Sequence, residues 1–225
     1  MKTRAITLAL ISSFALFAAS EAEKRLEDAA VVFEETMTMS DQGIPQDLLN
    51  KAHCVVIIPG MKKGAFIVGG SYGRGFLSCR QASGEGWSAP ASVRMEGGSF
   101  GLQIGGSETD VIMLVMNEKG VDKLLSSKFT LGGDASAAAG PVGRTAQAQT
   151  DAQMRAEILT YSRARGVFGG ISLTGSTLRP DNRTNKDLYG KELANREIVT
   201  SGMAAPQGAG KLLGLLNKHS PKRVS

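Results

Sequence analysis

The chain has 225 residues, of which 42% are hydrophobic, 5% aromatic and 21% charged, and this length is enough for one domain with a sizeable core. Its formal net charge of +5 permits contact with an anionic surface. We expect no nucleic-acid partner, because the basic residues form no clustered stripe with stacking aromatics between them.

The first 20 residues are predicted to be a secretory signal peptide. Lys2 and Arg4 precede an apolar stretch at residues 5–17, and the small residues 18–20 offer a cleavage site. The stretch is shorter than the roughly 20 apolar residues that a membrane span needs, which favours a cleaved signal peptide. The alternative interpretation is an uncleaved membrane anchor. Cleavage leaves a formal charge of +3, since two basic residues and no acid are lost. We expect an exported, periplasmic protein that can associate peripherally with a membrane.

Hydrophobic periodicity predicts a helix over residues 21–39. Leu26, Ala30, Phe33 and Met37 recur at helical spacing and share one face. A short second helix is expected over residues 46–52, helices over 118–126 and 187–199, and a Gly/Ala/Pro-rich, then basic, tail after residue 202. The predicted organisation is a signal peptide at 1–20, one domain at 21–202 and a flexible basic tail at 203–225.

Glycine-rich apolar runs between residues 54 and 175 predict the strands. Glycine inside a strand costs conformational entropy, so its repetition indicates bulges, bends or close backbone approach. A turn is expected at Gly97-Gly98. The predicted strands cover residues 54–58, 65–68, 75–80, 92–95, 99–104, 110–116, 158–162 and 167–174. The fold class is therefore α+β, with a curved, mainly antiparallel, barrel-like sheet and helices at the N- and C-terminal ends.

Cys54 and Cys79 are the two cysteines of the chain. In an oxidising compartment such a pair can form a disulfide, which is the prediction that we favour. The alternative is two buried free thiols, because spacing in sequence says nothing about the geometry between the side chains.

The chain resembles the SYLF domain family, also described as lipid-binding or Ysc-type actin-binding domains, in eight short sequence motifs and in their order. The motifs lie at residues 48–52, 55–63, 69–75, 87–90, 97–105, 109–117, 139–144 and 161–175, and the resemblance runs from about residue 26 to about residue 202. It implies binding of membrane phospholipids, phosphatidylinositol phosphates among them in eukaryotic members, and of actin in some members. It does not imply catalysis. For an exported protein we expect an anionic phospholipid membrane as the partner.

Basic residues near glycine turns are the candidate lipid-binding groups. Arginine and exposed backbone N–H groups together suit phosphate oxygens, and a tryptophan can anchor at an interface. The alternative is solvated charges or ion pairs with Asp110, Asp134 or Glu108, and a tryptophan packed under a loop. The candidates are Lys62, Lys63, Arg74, Arg144, Arg163, Arg165 and Trp87.

An enzymatic function is not expected. Ser71 and Ser99 each occur in a G-x-S-x-G pattern, but a serine hydrolase of that kind needs a histidine later in the chain. Only His219, in the predicted tail, follows them, and His53 precedes both. The histidines and cysteines have no metal-ligand spacing, so neither a metal nor a cofactor is expected. A cell-envelope scaffolding protein with a protein partner is the alternative function, and a serine hydrolase the remote one.

Overall fold

One curled, mostly antiparallel sheet forms the centre of the fold. The computed structural model describes residues 19–39, 43–65, 68–100, 105–143, 153, 155–164 and 167–224. The strands are β1 (Cys54–Ala65), β2 (Val68–Cys79), β3 (Ala91–Phe100), β4 (Gly105–Val115), β5 (Phe129–Thr130), β6 (Ala137–Ala139), β7 (Ile158–Ala164), β8 (Val167–Gly170) and β9 (Thr177–Pro180). Their order is β5-β9-β3-β2-β1-β4-β7-β6, with β8 also paired to β7, and the sheet is a half-barrel. The predicted α+β class is confirmed.

Helices flank the sheet near both ends of the chain. They are α1 (Glu21–Thr38), α2 (Gln46–Lys51), α3 (Glu118–Leu124), α4 (Asn182–Tyr189), α5 (Asn195–Thr200) and α6 (Gly210–His219). Ser20 and Glu23 form a capping box at the start of α1, and Leu26, Ala30 and Phe33 are fully buried, as their spacing predicts. Within the described part of the chain, no helix has the length and apolarity to cross a membrane. The predicted signal peptide lies almost entirely outside the described residues.

The two faces of the sheet cover separate cores. Helices α1, α2 and α6 pack on one face, where Phe33, Leu49 and Leu212 meet strand residues such as Phe76. Helices α3 and α5 pack on the other face. Because side chains alternate along a strand, each strand residue belongs to one face or the other. We call the first of these the α1 face.

Glycines shape the β1–β2 hairpin, as the sequence predicts. A Cβ at Gly75 would lie 2.0 Å from the carbonyl oxygen of Ile57, so only glycine permits this approach. In β1 the pairing register shifts between Ile57 and Lys62, where Gly60 has a φ of +56°, in the left-handed region that favours glycine. Pro59 and Gly60 therefore form a bulge that bends the hairpin.

Two local predictions are wrong. Gly97 and Gly98 are not a turn but lie inside β3, paired with Ser71 and Gly70 of β2, because sheet pairing with a long neighbour outweighs the local turn preference of glycine. The helix predicted over residues 187–199 is two helices, α4 and α5. Gly190 ends α4 with a φ of +70°.

The flexible tail predicted at 203–225 is also wrong. Residues 207–209 form a 3-10 turn, and α6 follows with Leu212, Leu215 and Leu216 buried against the α1 face. These leucines recur at helical spacing, so docking on α1 removes enough apolar surface from water to order the segment.

Candidate functional site

Three arginines lie directly opposite one another on neighbouring strands of the α1 face. Arg74 of β2 pairs with Arg94 of β3, which pairs with Arg179 of β9. Residues opposite in an antiparallel ladder point to the same side of the sheet. Their side chains are 35%, 37% and 37% exposed, respectively. We call this set the arginine row.

The arginine row has fewer carboxylates than guanidinium groups. Glu96 lies between two of its members, with its oxygens 3.2 Å from Nε of Arg94 and 3.9 Å from Nε of Arg179. Neither Nε atom makes a hydrogen bond in the part of the chain that the structure describes, although both are buried. Asp181 is the other carboxylate at ion-pair distance, so three guanidinium groups share two such carboxylates, and Glu21 acts on Arg74 from farther away.

Arg74 is the most constrained member of the row. Its Nε donates to the Tyr72 hydroxyl at 2.7 Å and lies 3.3 Å from Oδ2 of Asp181. The hydrogen bond to Tyr72, with a contribution from Asp181, raises the pKa of Arg74. Asp181 is itself buried and accepts from the backbone N–H of Thr184 at the start of α4. Arg74 therefore holds α4 to the sheet. The glycines on either side of Arg74 belong to paired strand backbone and not to the exposed turn that the sequence had suggested.

Lys62 and Lys63 lie inside β1, not on a turn between strands as the sequence suggested. The bulge after Ile57 is followed by renewed pairing, which places Lys62 opposite Tyr72 and Glu108. Lys62 is exposed and shares a cavity of about 260 Å³ with Arg25 and Arg74. Lys63, the next residue, points to the opposite face. The structure therefore brings Lys62, but not Lys63, to the arginine row.

Arg163 lies elsewhere on the α1 face and is occupied by acids. Its Nε and Nη2 donate to Oδ2 of Asp110 at 2.9 and 2.8 Å, and its Nη1 also bonds to Glu35 of α1. Burial alone would lower the pKa of Arg163, but these carboxylates raise it overall. With two carboxylates around one guanidinium, this site has no positive excess. Arg144 and Arg165 lie outside the described residues.

Trp87 is buried, so it is a packing residue rather than an exposed interfacial anchor. Its Nε1 donates to the backbone oxygen of Ser220 at 2.9 Å, and the guanidinium of Arg80 stacks 3.9 Å above its ring. Arg80 also donates to the oxygens of Ser220, Ala52 and Leu49 at 2.6, 3.3 and 3.4 Å. Arg80 thus joins α2, the end of α6 and Trp87. Burial and Arg223 lower the pKa of Arg80 to about 10, which keeps it charged at neutral pH.

Cys54 and Cys79 occupy opposite positions in β1 and β2, and they form a disulfide. Both are buried, with exposures of 0% and 6%. The bond joins the first residue of β1 to the last residue of β2, next to Arg80.

Among the described residues, Ser71 and the two histidines of the remote hydrolase alternative are not brought together. Ser71 lies within β2, with its hydroxyl 3.4 Å from the oxygen of Gly97, and not on a strand-to-helix elbow. His53 contacts Arg223, and His219 packs against Phe33. The Ser99 side chain lies outside the part of the chain that the structure describes. Among the described residues, no group of three or more His, Cys, Asp or Glu could hold a metal ion.

Sequence reasoning missed Arg25, Arg94 and Arg179. Arg94 and Arg179 have no glycine neighbour, and they are 85 residues apart in the chain, so no local pattern connects them. Only the pairing of β3 with β9, a strand that was not predicted as such, brings them together.

Comparison with known proteins finds one family and a group of eukaryotic relatives. Residues 96–219, more than half of the chain, match the family described as "Ysc84: Las17-binding protein actin regulator". The chain is 32% identical over 184 residues to Protein YSC84 of Saccharomyces cerevisiae, covering 80% of this chain and 39% of that protein. It is 31% identical over 184 residues to LAS seventeen-binding protein 3 of the same yeast, covering 80% and 40%.

An animal relative aligns over more of the chain. SH3 domain-containing YSC84-like protein 1 of Mus musculus is 30% identical over 208 residues, covering 90% of this chain and 60% of that protein. The chain thus spans about two fifths of the length of the yeast relatives and less than two thirds of the mouse protein.

Proposed function

Because the chain belongs to the Ysc84 family, whose shared region is the SYLF domain, we propose that it binds anionic phospholipid at a membrane surface without catalysing a reaction. The observation that carries the proposal is the arginine row, whose three guanidinium groups share two carboxylates at ion-pair distance. Guanidinium groups suit phosphate oxygens because they present paired donors in a rigid plane. Lys62 and Arg25 extend the positive surface along the edge of α1.

The proposed lipid-binding surface differs from the set of residues that the sequence suggested. It keeps Lys62 and Arg74 and adds Arg25, Arg94 and Arg179. It leaves out Lys63 on the opposite face, the occupied Arg163 and the buried Trp87, and it does not include Arg144 and Arg165, which lie outside the described residues. Each basic residue near an anionic membrane contributes about 1 kcal/mol, so a surface of this size supports reversible association.

We further propose that the protein is exported and meets its membrane in the periplasm. The basic start and short apolar run of residues 1–20 support this location. A disulfide between Cys54 and Cys79 is consistent with an oxidising compartment.

Co-sedimentation with vesicles tests the proposal. Phosphatidylcholine vesicles that contain a rising fraction of phosphatidylglycerol should pellet a rising fraction of the protein, and added salt should reverse the binding. Equal pelleting with pure phosphatidylcholine vesicles, or none at any composition, contradicts it. Uncleaved leader peptide would bind neutral vesicles as well, so the neutral vesicles also control for that segment.

A protein partner is the second candidate function. It is favoured by the family description, which names a Las17-binding actin regulator, and by the yeast relatives, which are more than twice as long as the matched region. If vesicles do not bind the protein, cross-linking in the cell envelope and identification of a partner that depends on Arg94 and Arg179 would support this function instead.

A further inference from the structure

Two cavities adjoin the Pro59-Gly60 bulge on the α1 face. The cavity of about 260 Å³ lies beside Lys62 and Arg74, and a larger one of about 630 Å³ lies beside Asp28 and Glu108. Arg25, Pro59 and Gly60 line both, so the two cavities form one groove along α1. We call it the bulge groove.

The bulge groove holds four charged side chains that lack an ionic partner in the described part of the chain. Arg25 and Lys62 are the cations, and Asp28 and Glu108 are the anions; none of them occurs in any ion pair or side-chain hydrogen bond there. Lys62 and Glu108 are direct neighbours in the β1–β4 register and still do not pair. Opposite charges on neighbouring strands commonly pair, so the lack of an ion pair between these two leaves both available to a ligand.

The position of the Glu108 carboxylate follows from the bulge. Gly60 has no side chain, and its ideal Cβ position lies 2.5 Å from Oε1 of Glu108, so the carboxylate rests on the glycine backbone. The N–H of Gly60 is used by Asp110, at 2.9 Å, and Asp110 in turn is paired with Arg163. Glu108 therefore uses neither of these contacts, and among the described residues its carboxylate has no ion pair, although Arg25 and Arg163 line the same cavity.

We propose that the bulge groove binds a zwitterionic phosphoethanolamine group. The phosphate lies among Arg25, Lys62 and Arg74, and the ammonium lies between Glu108 and Asp28. This inference rests on the proposed function and deepens it, since it specifies phosphatidylethanolamine as the head group that the cationic surface accepts beside its anionic neighbours.

The chemistry favours phosphoethanolamine over the other common head groups. A primary ammonium has three donors for the two carboxylates, whereas the methylated nitrogen of choline has none. A glycerol head group would leave both carboxylates unpaired beside a bound phosphate, at an electrostatic cost.

A vesicle experiment separates this inference from the proposed function. At a constant fraction of phosphatidylglycerol, replacing phosphatidylcholine by phosphatidylethanolamine should strengthen binding about fivefold, as expected for partly exposed charge-assisted contacts. Equal binding to the two mixtures rules out phosphatidylethanolamine as the source of the head group but leaves the proposed function intact. No dependence on phosphatidylglycerol in either mixture overturns the proposed function.

Substitutions test whether the preference for phosphatidylethanolamine arises in the bulge groove. Glu108→Gln combined with Asp28→Asn should bring the ratio of the two affinities close to one. Glu118→Gln combined with Glu197→Gln removes two exposed acids from α3 and α5 at the opposite face of the sheet, and this matched control should keep the ratio. An unchanged ratio in the double variant overturns the assignment to this groove.

Soluble head groups provide a test on the unaltered protein, free of effects from bilayer packing. In ¹H–¹⁵N spectra, O-phosphoethanolamine should shift the amide signals of Gly60, Lys62 and Glu108, and phosphocholine should shift them less at equal concentration. Equal shifts, or none, overturn the inference. Shifts without any preference for phosphatidylethanolamine vesicles would indicate a soluble phosphoethanolamine compound as the ligand source.

Discussion

Arg80 and the pair Arg94–Arg179 differ in how completely their donors are used. Arg80 donates to three backbone oxygens and stacks on Trp87. Arg94 and Arg179 share the single carboxylate of Glu96, and their Nε atoms have no hydrogen bond within the described residues. The oxygen atoms around an arginine therefore decide its role: a fully occupied guanidinium holds the fold together, and one with unused donors can bind a ligand.

The largest expected effect is that of Arg80→Ala on stability. The variant loses hydrogen bonds to Leu49, Ala52 and Ser220 and the contact with Trp87, so the free energy of unfolding should fall by roughly 4 kcal/mol. Chemical denaturation measures this change. Arg94→Ala is the matched control and should cost less than about 1 kcal/mol. Equal losses of stability in the two variants would contradict the view that the number of occupied donors sets how much an arginine stabilises the fold.

Removal of the disulfide should come next in size. The bond closes a sequence separation of 25 residues, for which chain-entropy arguments give about 3 kcal/mol. Cys54→Ser combined with Cys79→Ser should lower the melting temperature by the same amount as reducing agent lowers that of the unaltered protein. Binding to anionic vesicles below that temperature should be unchanged, because the arginine row is at a different part of the hairpin. A melting temperature that does not respond to reductant would contradict this prediction.

The effect of the arginine row on membrane binding should be smaller in energy. Arg94→Gln combined with Arg179→Gln should weaken binding to anionic vesicles by about 2 kcal/mol, roughly 30-fold, with little change in stability. Co-sedimentation at constant salt measures it. Lys128→Gln combined with Lys191→Gln removes the same charge from segments packed on the opposite face. If both double variants bind equally weakly, the effect is one of net charge and not of the row.

The smallest expected effect is a dependence of stability on pH from the two histidines. Burial, with Arg223 beside His53 and Lys218 beside His219, lowers the pKa of each below its ordinary value of 6.5. The unfolded chain therefore binds protons first as the pH falls, so stability present at neutral pH is lost as the pH drops through about 6.5.

Melting temperatures between about pH 7.5 and pH 5.5 measure this dependence. His53→Gln combined with His219→Gln should flatten the slope. A slope that is unchanged in the double variant would assign the pH dependence to other groups.

The sequence was sufficient for the elements that local pattern controls. Helix α1 is set by a capping box and by Leu26, Ala30 and Phe33 at helical spacing, and the glycines of β2 mark a real close approach at Gly75. The family was likewise identified from sequence motifs without a structure. The segment at 203–225 was mistaken because its leucines gain stability only by docking on α1, and a composition of Gly, Ala and Pro gives no sign of that partner.

The candidate site was less accessible to sequence reasoning. Proximity to glycine selected Arg74 and Arg163, but it gave no sign of their partners: Tyr72 and Asp181 contact only Nε of Arg74, whereas Asp110 and Glu35 occupy the guanidinium of Arg163. Whether a cation is paired depends on residues that are distant in the chain.

Sequence alone determined that this protein is an α+β member of a lipid-binding and actin-regulating family, because the order of its glycine phrases and the periodicity of its helices are local properties. Only the tertiary structure decided which basic residues are free to bind a ligand. Strand pairing sets that outcome, since it brings Arg94 and Arg179 onto one face and places Lys62 opposite Glu108 beside the bulge, where the two form no ion pair.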